Sequence, residues 1–151
     1  MKDEAAIAEA ATRWALGRTG DRSYAGRCLA FVEDAIERAN GIEIFGGSTA
    51  RESAEQYGLG PYSIEAPPPA GSLVFYACEG PADGAWRDWG HVGIALGDGR
   101  VAHAWDEVRA DEATAIEALP PAAGWTSARL IGWVPLTRIL DGHRARRWVD
   151  G

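Results

Sequence analysis

Three side chains capable of nucleophilic and acid–base chemistry lie at two places in this 151-residue chain. Cys28 lies where a polar, turn-rich stretch, residues 18–26, is followed by a periodic apolar segment. His91 and His103 are the first and last residues of the segment "HVGIALGDGRVAH". A cysteine attacks as the thiolate, so it needs a base or a helix start to ionise it. The residue types therefore permit a catalytic set in which Cys28 is the nucleophile, His91 the base and His103 the residue that orients the base.

The apolar segment after residue 27 predicts a helix that begins near the cysteine and ends at Gly41. Its apolar face contains Cys28, Phe31, Val32, Ala35, Ile36 and Ala39. At a helix start, unpaired N–H groups and the positive end of the helix dipole favour a thiolate, and the N–H of Cys28 could stabilise an oxyanion. The same pattern also fits Cys28 as a small packed core residue, and the helix pattern alone slightly favours that interpretation.

The histidine segment predicts a β-hairpin with two possible registers. A two-residue turn at Asp98-Gly99 would put the two histidines on opposite faces of the ribbon. A three-residue loop over 97–99 pairs Leu96 with Arg100 and puts both histidines on one face, roughly 7 Å apart at the backbone. We predict the second register because it also gathers an apolar face. That face contains Val92, Ile94, Leu96, Ala102 and Ala104.

A metal site is the alternative use of the same side chains. Cys28, His91 and His103 could together bind a zinc ion, but such a site needs a further ligand, and the chain has no Cys-x-x-Cys or His-Glu-x-x-His spacing. We therefore expect no metal and no cofactor. Two cysteines cannot form a disulfide framework, so Cys78 is expected to be a free thiol. His143, near the end of the chain, is expected to be solvated.

The remaining pattern predicts an α+β fold in which N-terminal helices pack on a small antiparallel β-sheet. A helix is expected over residues 3–16, and a Thr-x-x-Glu capping box predicts a short helix that ends near Tyr57. The predicted strands are "SLVFYA", "HVGIAL", "RVAHAW" and "ARLIGWVPL". Residues 77–90 are predicted to form a loop, and this loop could control access to a substrate groove. The order of helices before strands predicts one α+β domain over residues 1–151.

The formal net charge of −7 argues against nucleic acid and anionic membrane surfaces as partners, since both attract clustered lysine and arginine. No segment approaches the ~18 apolar residues of a membrane span, and the N-terminus lacks the apolar stretch of a signal peptide. We expect a monomer that is cytoplasmic as encoded, with no nucleic-acid or membrane partner.

Three segments, "YAGRCLAFVEDA", "PPPAGSLVFY" and "GHVGIALGDGRVAHAW", follow one another in an order that resembles the NlpC-type cell-wall cysteine peptidases and the related CHAP domains. The resemblance spans about residues 20–134 and implies a papain-like fold. It implies that Cys28 is the nucleophile, His91 the general base and His103 the orienting residue. Tyr24 resembles a family tyrosine that helps at the oxyanion or substrate site, although its spacing to the cysteine is shorter than usual.

The resemblance also implies a substrate, a peptide or amide bond in peptidoglycan stem peptides or cross-bridges, cleaved through an acyl-enzyme after lysis or delivery by another route. Many family members carry Asp before the cysteine to bind a free amine, whereas Arg27 occupies that place here and would favour an acidic group. Trp89 and Trp105 are candidate walls of the substrate groove. Two alternatives remain, namely an amidase or acyltransferase that uses the same three residues, and a non-catalytic binding domain.

Overall fold

The fold is a mixed α+β arrangement in which helices cover one face of a five-stranded antiparallel sheet, so the predicted α+β class is confirmed. A computed structural model of the chain describes residues 3–149, and residues 1–2 and 150–151 of the expected domain lie outside the described range. Within that range, no helix has both the length and the apolar character that crossing a bilayer requires.

Four α-helices form in the described chain, and capping residues mark several of their ends. They are α1 (Glu4–Leu16), α2 (Cys28–Asn40), α3 (Ala50–Tyr57) and α4 (Leu136–Ile139). The side chain of Asp3 caps α1 by accepting a hydrogen bond from the N–H of Ala6. Thr49 caps α3 by accepting from the N–H of Glu52, and α2 ends at Gly41, whose φ of 64° lies in the left-handed region. The three predicted helices are confirmed, and α4 was not predicted.

The strands of the described chain form one central sheet and two short ribbons. They are β1 (Ile42–Glu43), β2 (Leu73–Ala77), β3 (Glu79–Ala82), β4 (Ala85–Asp88), β5 (His91–Ala95), β6 (Arg100–Ala104), β7 (Val108–Glu112), β8 (Arg129–Val134) and β9 (Arg144–Ala145). The central sheet has the order β7-β6-β5-β2-β8, and all its neighbours pair antiparallel. The ribbons pair β1 with β9 and β3 with β4.

The four predicted strands are confirmed as β2, β5, β6 and β8, but the prediction of a loop over residues 77–90 was wrong. That segment contains the β3–β4 hairpin, which turns at Asp83-Gly84. Both turn residues have positive φ, 48° and 76°, as a two-residue hairpin turn requires. Its outer positions are exposed, so the segment lacks the apolar alternation that reveals a strand in a sequence.

Both faces of the central sheet are covered, although the sequence gathered apolar residues on only one face of the β5–β6 hairpin. Residues from α1, α2 and α3 pack on the first face, against Phe75, Val92 and Ile94. The second face has its own smaller cluster, which contains Val74, Tyr76, Ala95, Val101, Ala113, Ile116 and Ala128. His91 and His103 belong to this second face, so their side chains point away from the main helical layer.

Candidate active site

A cavity of about 890 Å³ opens where the start of α2 meets the β5–β6 hairpin. Cys28 and His91 both line it, as do Trp89 and Trp105. The β3–β4 hairpin and the segment before β8 complete its wall, the latter through Trp125. The cavity is large enough for a peptide-sized group, and the candidate nucleophile and base face the same space.

Cys28 is the first residue of α2 and is partly exposed to the cavity. The side chain of Arg27, the preceding residue, makes no capping hydrogen bond. The first N–H groups of a helix have no acceptor within the helix, so those of Cys28 and Leu29 stay available at the cavity. An oxyanion formed on a carbonyl attacked by Cys28 could accept from them.

The pKa of the Cys28 thiol does not follow the sequence prediction. Burial raises this pKa, while the backbone N–H groups of Val92, Leu29 and Cys28 itself act in the opposite direction and favour the thiolate. The resting thiol therefore keeps its proton at neutral pH and needs a base to remove it. Val92 directly follows His91 in β5, so the base candidate lies beside the N–H group that acts on the sulfur.

The hairpin has the predicted three-residue loop. Gly93 pairs with His103 and Ala95 with Val101, and the N–H of Leu96 donates to the carbonyl of Arg100. The two histidine side chains consequently meet on one face, with Nε2 of His91 2.9 Å from Nδ1 of His103. The predicted proximity of the two histidines is confirmed.

Both imidazoles are buried and neutral at rest. Burial, and then the neighbouring His103, lower the pKa of His91 well below its ordinary value. Burial also lowers the pKa of His103, and a hydrogen bond and the charge of Asp111 only partly offset this effect. A neutral imidazole keeps one lone pair, which is what a general base requires.

Asp111 is the residue of this constellation that the sequence analysis missed. Its Oδ2 atom lies 2.8 Å from Nε2 of His103, and it also accepts from Nε of Arg109 at 2.7 Å. Asp111 and Arg109 both belong to β7, a strand that was not predicted. The signal was weak, because only Val108 and Ala110 alternate with charged residues in "VRADE".

The remaining predicted site residues divide between the cavity and its surroundings. The ring of Trp105 stands edge-on to His91, with centroids 4.9 Å apart, and the indole N–H of Trp89 donates to the carbonyl of Gly80. Arg27 also lines the cavity. Trp89, Trp105 and Arg27 are therefore brought together around the cysteine.

Tyr24 is placed elsewhere. Its hydroxyl donates to Oδ2 of Asp34 at 2.6 Å, and its ring packs edge-on against Phe31, with centroids 5.4 Å apart. It packs against the main core cluster and is not among the described residues that line the cavity. The contacts of Tyr24 thus belong to the packing of α2 against the preceding loop.

Glu33 is a further carboxyl on the cavity wall that the sequence pattern did not single out. Burial raises its pKa to about 7, and the nearby charges of Glu37 and Asp34 add to the effect. Within residues 3–149, no hydrogen bond or ion pair to its carboxyl is seen.

The described residues contain no group of three His, Cys, Asp or Glu side chains arranged to hold a metal ion, and Cys28 and Cys78 are both free thiols. The chain matches no protein-family model and no curated protein. The chemistry of the site must therefore be inferred from its own geometry.

Proposed function

We propose that this protein is a cysteine hydrolase of peptide or amide bonds. One observation carries the proposal: Cys28 at a helix start and His91 line one cavity, and His91 is held at hydrogen-bond distance by His103. Nucleophile, base and orienting residue in this order are the parts that nucleophilic acyl transfer needs. A helix start that carries the cysteine, set against an antiparallel sheet that carries the histidines, also suits the papain-like fold implied by the NlpC and CHAP resemblance.

In the proposed reaction, Cys28 attacks the carbonyl carbon of the scissile amide while its thiol proton passes to His91. The developing oxyanion accepts hydrogen bonds from the N–H groups at the start of α2. The C–N bond then breaks, and the leaving amine takes the proton from His91. Water attacks the resulting thioester and gives a proton to His91, which returns it to the departing thiolate of Cys28.

The proposed substrate is a stem peptide or cross-bridge of peptidoglycan. Arg27 stands at the cavity, where an arginine pairs with a carboxylate and repels an amine. We therefore propose that the scissile bond lies beside an acidic group rather than beside a free N-terminus. Trp89 and Trp105 supply the apolar walls that hold the peptide in this groove.

Digestion of purified sacculi, read by mass spectrometry, tests this proposal. The wild type should release fragments with a new free amine on a stem residue, and Cys28→Ala should release none. His143→Gln is the matched histidine control, because His143 contacts the carbonyl of Leu140 and lies outside the cavity. Release of the whole stem peptide from the glycan would instead indicate an amidase.

Two results would contradict the proposal at different levels. Intact sacculi together with cleavage of a peptide-arylamide library would overturn the peptidoglycan substrate alone. Intact sacculi and an uncut library, with the wild type folded, would overturn the hydrolase itself. Products bearing an added amine nucleophile in place of water would indicate acyl transfer.

A further inference from the structure

Asp111 continues the line of hydrogen-bonding groups that begins at the cavity. β7 pairs with β6 so that Val101 faces Asp111 and His103 faces Arg109. Asp111 is therefore the diagonal neighbour of His103 on one side, as His91 is on the other. The sheet places the carboxylate, the two imidazoles and the cavity in one row.

The carboxylate of Asp111 is an acceptor only. Burial by itself would raise its pKa, but hydrogen bonds from Arg109 and His103 outweigh burial and hold the pKa below its ordinary value. Arg109 binds both carboxylate oxygens, through Nε to Oδ2 at 2.7 Å and through a terminal nitrogen to Oδ1 at 3.2 Å. An ionised carboxylate has no proton to give, so Nε2 of His103 must donate to it.

This donation determines the tautomer of each imidazole in turn. A neutral His103 that carries its proton on Nε2 has only a lone pair on Nδ1. The 2.9 Å contact between the rings then requires Nε2 of His91 to donate to Nδ1 of His103. The lone pair of His91 is left on Nδ1, the ring nitrogen that does not contact His103.

We propose that Asp111, clamped by Arg109, is a positioning residue that fixes the tautomers of His103 and His91 so that Nδ1 of His91 accepts the proton of Cys28. The last step rests on the proposed function, whereas the tautomer order does not. When the thiol proton reaches Nδ1 of His91, the positive charge of that ring is stabilised through His103 by the carboxylate. No proton moves to Asp111.

Nitrogen-15 NMR of histidine-labelled protein tests the tautomer order without any substrate. In the wild type, both His91 and His103 should carry their proton on Nε2. Asp111→Ala should replace the single tautomer at both rings by a mixture, and Asp111→Glu should restore it in part. Glu112→Ala is the matched control, since Glu112 is exposed on the same strand and should leave both rings unchanged.

A wild-type spectrum with the His103 proton on Nδ1 would overturn the proposal, as would unchanged tautomers in folded Asp111→Ala. If Asp111→Ala does not fold, the wild-type spectrum decides the tautomer order, and Arg109→Gln tests the clamp. Loss of the single tautomer in Arg109→Gln supports the clamp, and its full retention overturns it.

The catalytic consequence has its own readout. Asp111→Ala should lower kcat and the rate at which iodoacetamide alkylates Cys28 by about 100-fold, with little change in KM. A wrong tautomer costs about 10⁴-fold when the altered group touches the base directly, and Asp111 acts one ring further away. Wild-type tautomers as proposed, in a protein that hydrolyses nothing, would contradict the proposed function while supporting the tautomer order. Unchanged kcat and alkylation in Asp111→Ala would overturn the positioning role.

Discussion

Cys28 and Cys78 are free thiols that line the same cavity but differ in exposure and in surroundings. Cys78 is 6% exposed, and its thiol donates to the carbonyl of Thr126. Burial raises the pKa of Cys78 to about 11, and the neighbouring Cys28 adds to the effect. Burial also raises the pKa of Cys28, but three backbone N–H groups oppose this effect, and the side chain is partly exposed at the cavity. The two residues therefore serve as an internal comparison of reactivity.

We predict that iodoacetamide alkylates Cys28 well before Cys78 at every pH from 6 to 9. With a pKa of about 11, only about one Cys78 thiol in 1,000 is ionised at pH 8, and both rates should rise with pH because the thiolate is the reactive form. Peptide mapping by mass spectrometry gives the two rates separately. His91→Gln should slow the labelling of Cys28, and His143→Gln should not. Equal rates at the two cysteines would contradict the role assigned to Cys28.

At the scale of elements, the β5–β6 hairpin has a strict steric requirement at one position, Gly93. Gly93 lies between the two histidines along the ribbon and pairs directly with His103. A Cβ added at Gly93 would collide with Cγ1 of Val101 and would lie 3.0 Å from Cβ of His103. The absence of a side chain at this position is what lets the two imidazoles approach each other.

We predict that Gly93→Ala destabilises the protein by about 1–3 kcal/mol, as overpacking in a buried sheet commonly does, and lowers hydrolysis beyond the loss of folded protein. Urea unfolding gives the change in free energy, and activity is measured where both proteins are folded. Gly60→Ala is the control, because its Cβ would meet neighbouring atoms only at ordinary distances, 3.7 Å and beyond. Wild-type stability and activity in Gly93→Ala would contradict this steric account.

The hairpin also shows why some elements could be predicted from sequence and others could not. The register followed from apolar alternation, since only the three-residue loop brings Ala102 onto the same buried face as Val92 and Ile94. The β7 strand carries charged side chains at alternate positions, and Asp111 becomes a partner of His103 only through tertiary pairing. Local pattern therefore predicted the two histidines but not the carboxylate beyond them.

The raised pKa of Cys28 shows the same limit at the candidate site. A helix start favours the thiolate, and that effect could be predicted from the sequence. Burial by the surrounding walls acts in the opposite direction and outweighs it. The walls of the cavity come from segments distant in the chain, such as the one that carries Trp125, and no local pattern places that segment at the cavity.

At the scale of the whole molecule, α2 carries three acidic side chains, Glu33, Asp34 and Glu37, and the ionisation of Glu33 makes the stability of the protein depend on pH. Asp34 pairs with Arg38 at 3.2 Å, and Glu37 accepts from the N–H of Ile44 at 2.9 Å. Glu33 shares this region but has no such partner among the described residues, and its pKa is raised to about 7. The folded protein thus holds a carboxyl that the unfolded chain would ionise more easily, and this difference links global stability to pH.

We predict that Glu33→Gln stabilises the protein at neutral pH and changes its stability little at pH 4.5. Well below pH 4.5 the carboxyl is protonated in both states, whereas between about 4.5 and 7 it ionises mainly in the unfolded chain, so rising pH favours unfolding. Above pH 7 the carboxyl is ionised in both states, and the loss in free energy of unfolding stays constant at about 1–3 kcal/mol, allowing for partial exposure of the side chain. Urea unfolding at pH 4.5, 6 and 7.5 should show a growing advantage for the variant. The control Glu65→Gln, at an exposed loop position, should show no such gain in stability. A gain for Glu33→Gln that is equal at all three pH values would contradict the link between the Glu33 pKa and stability.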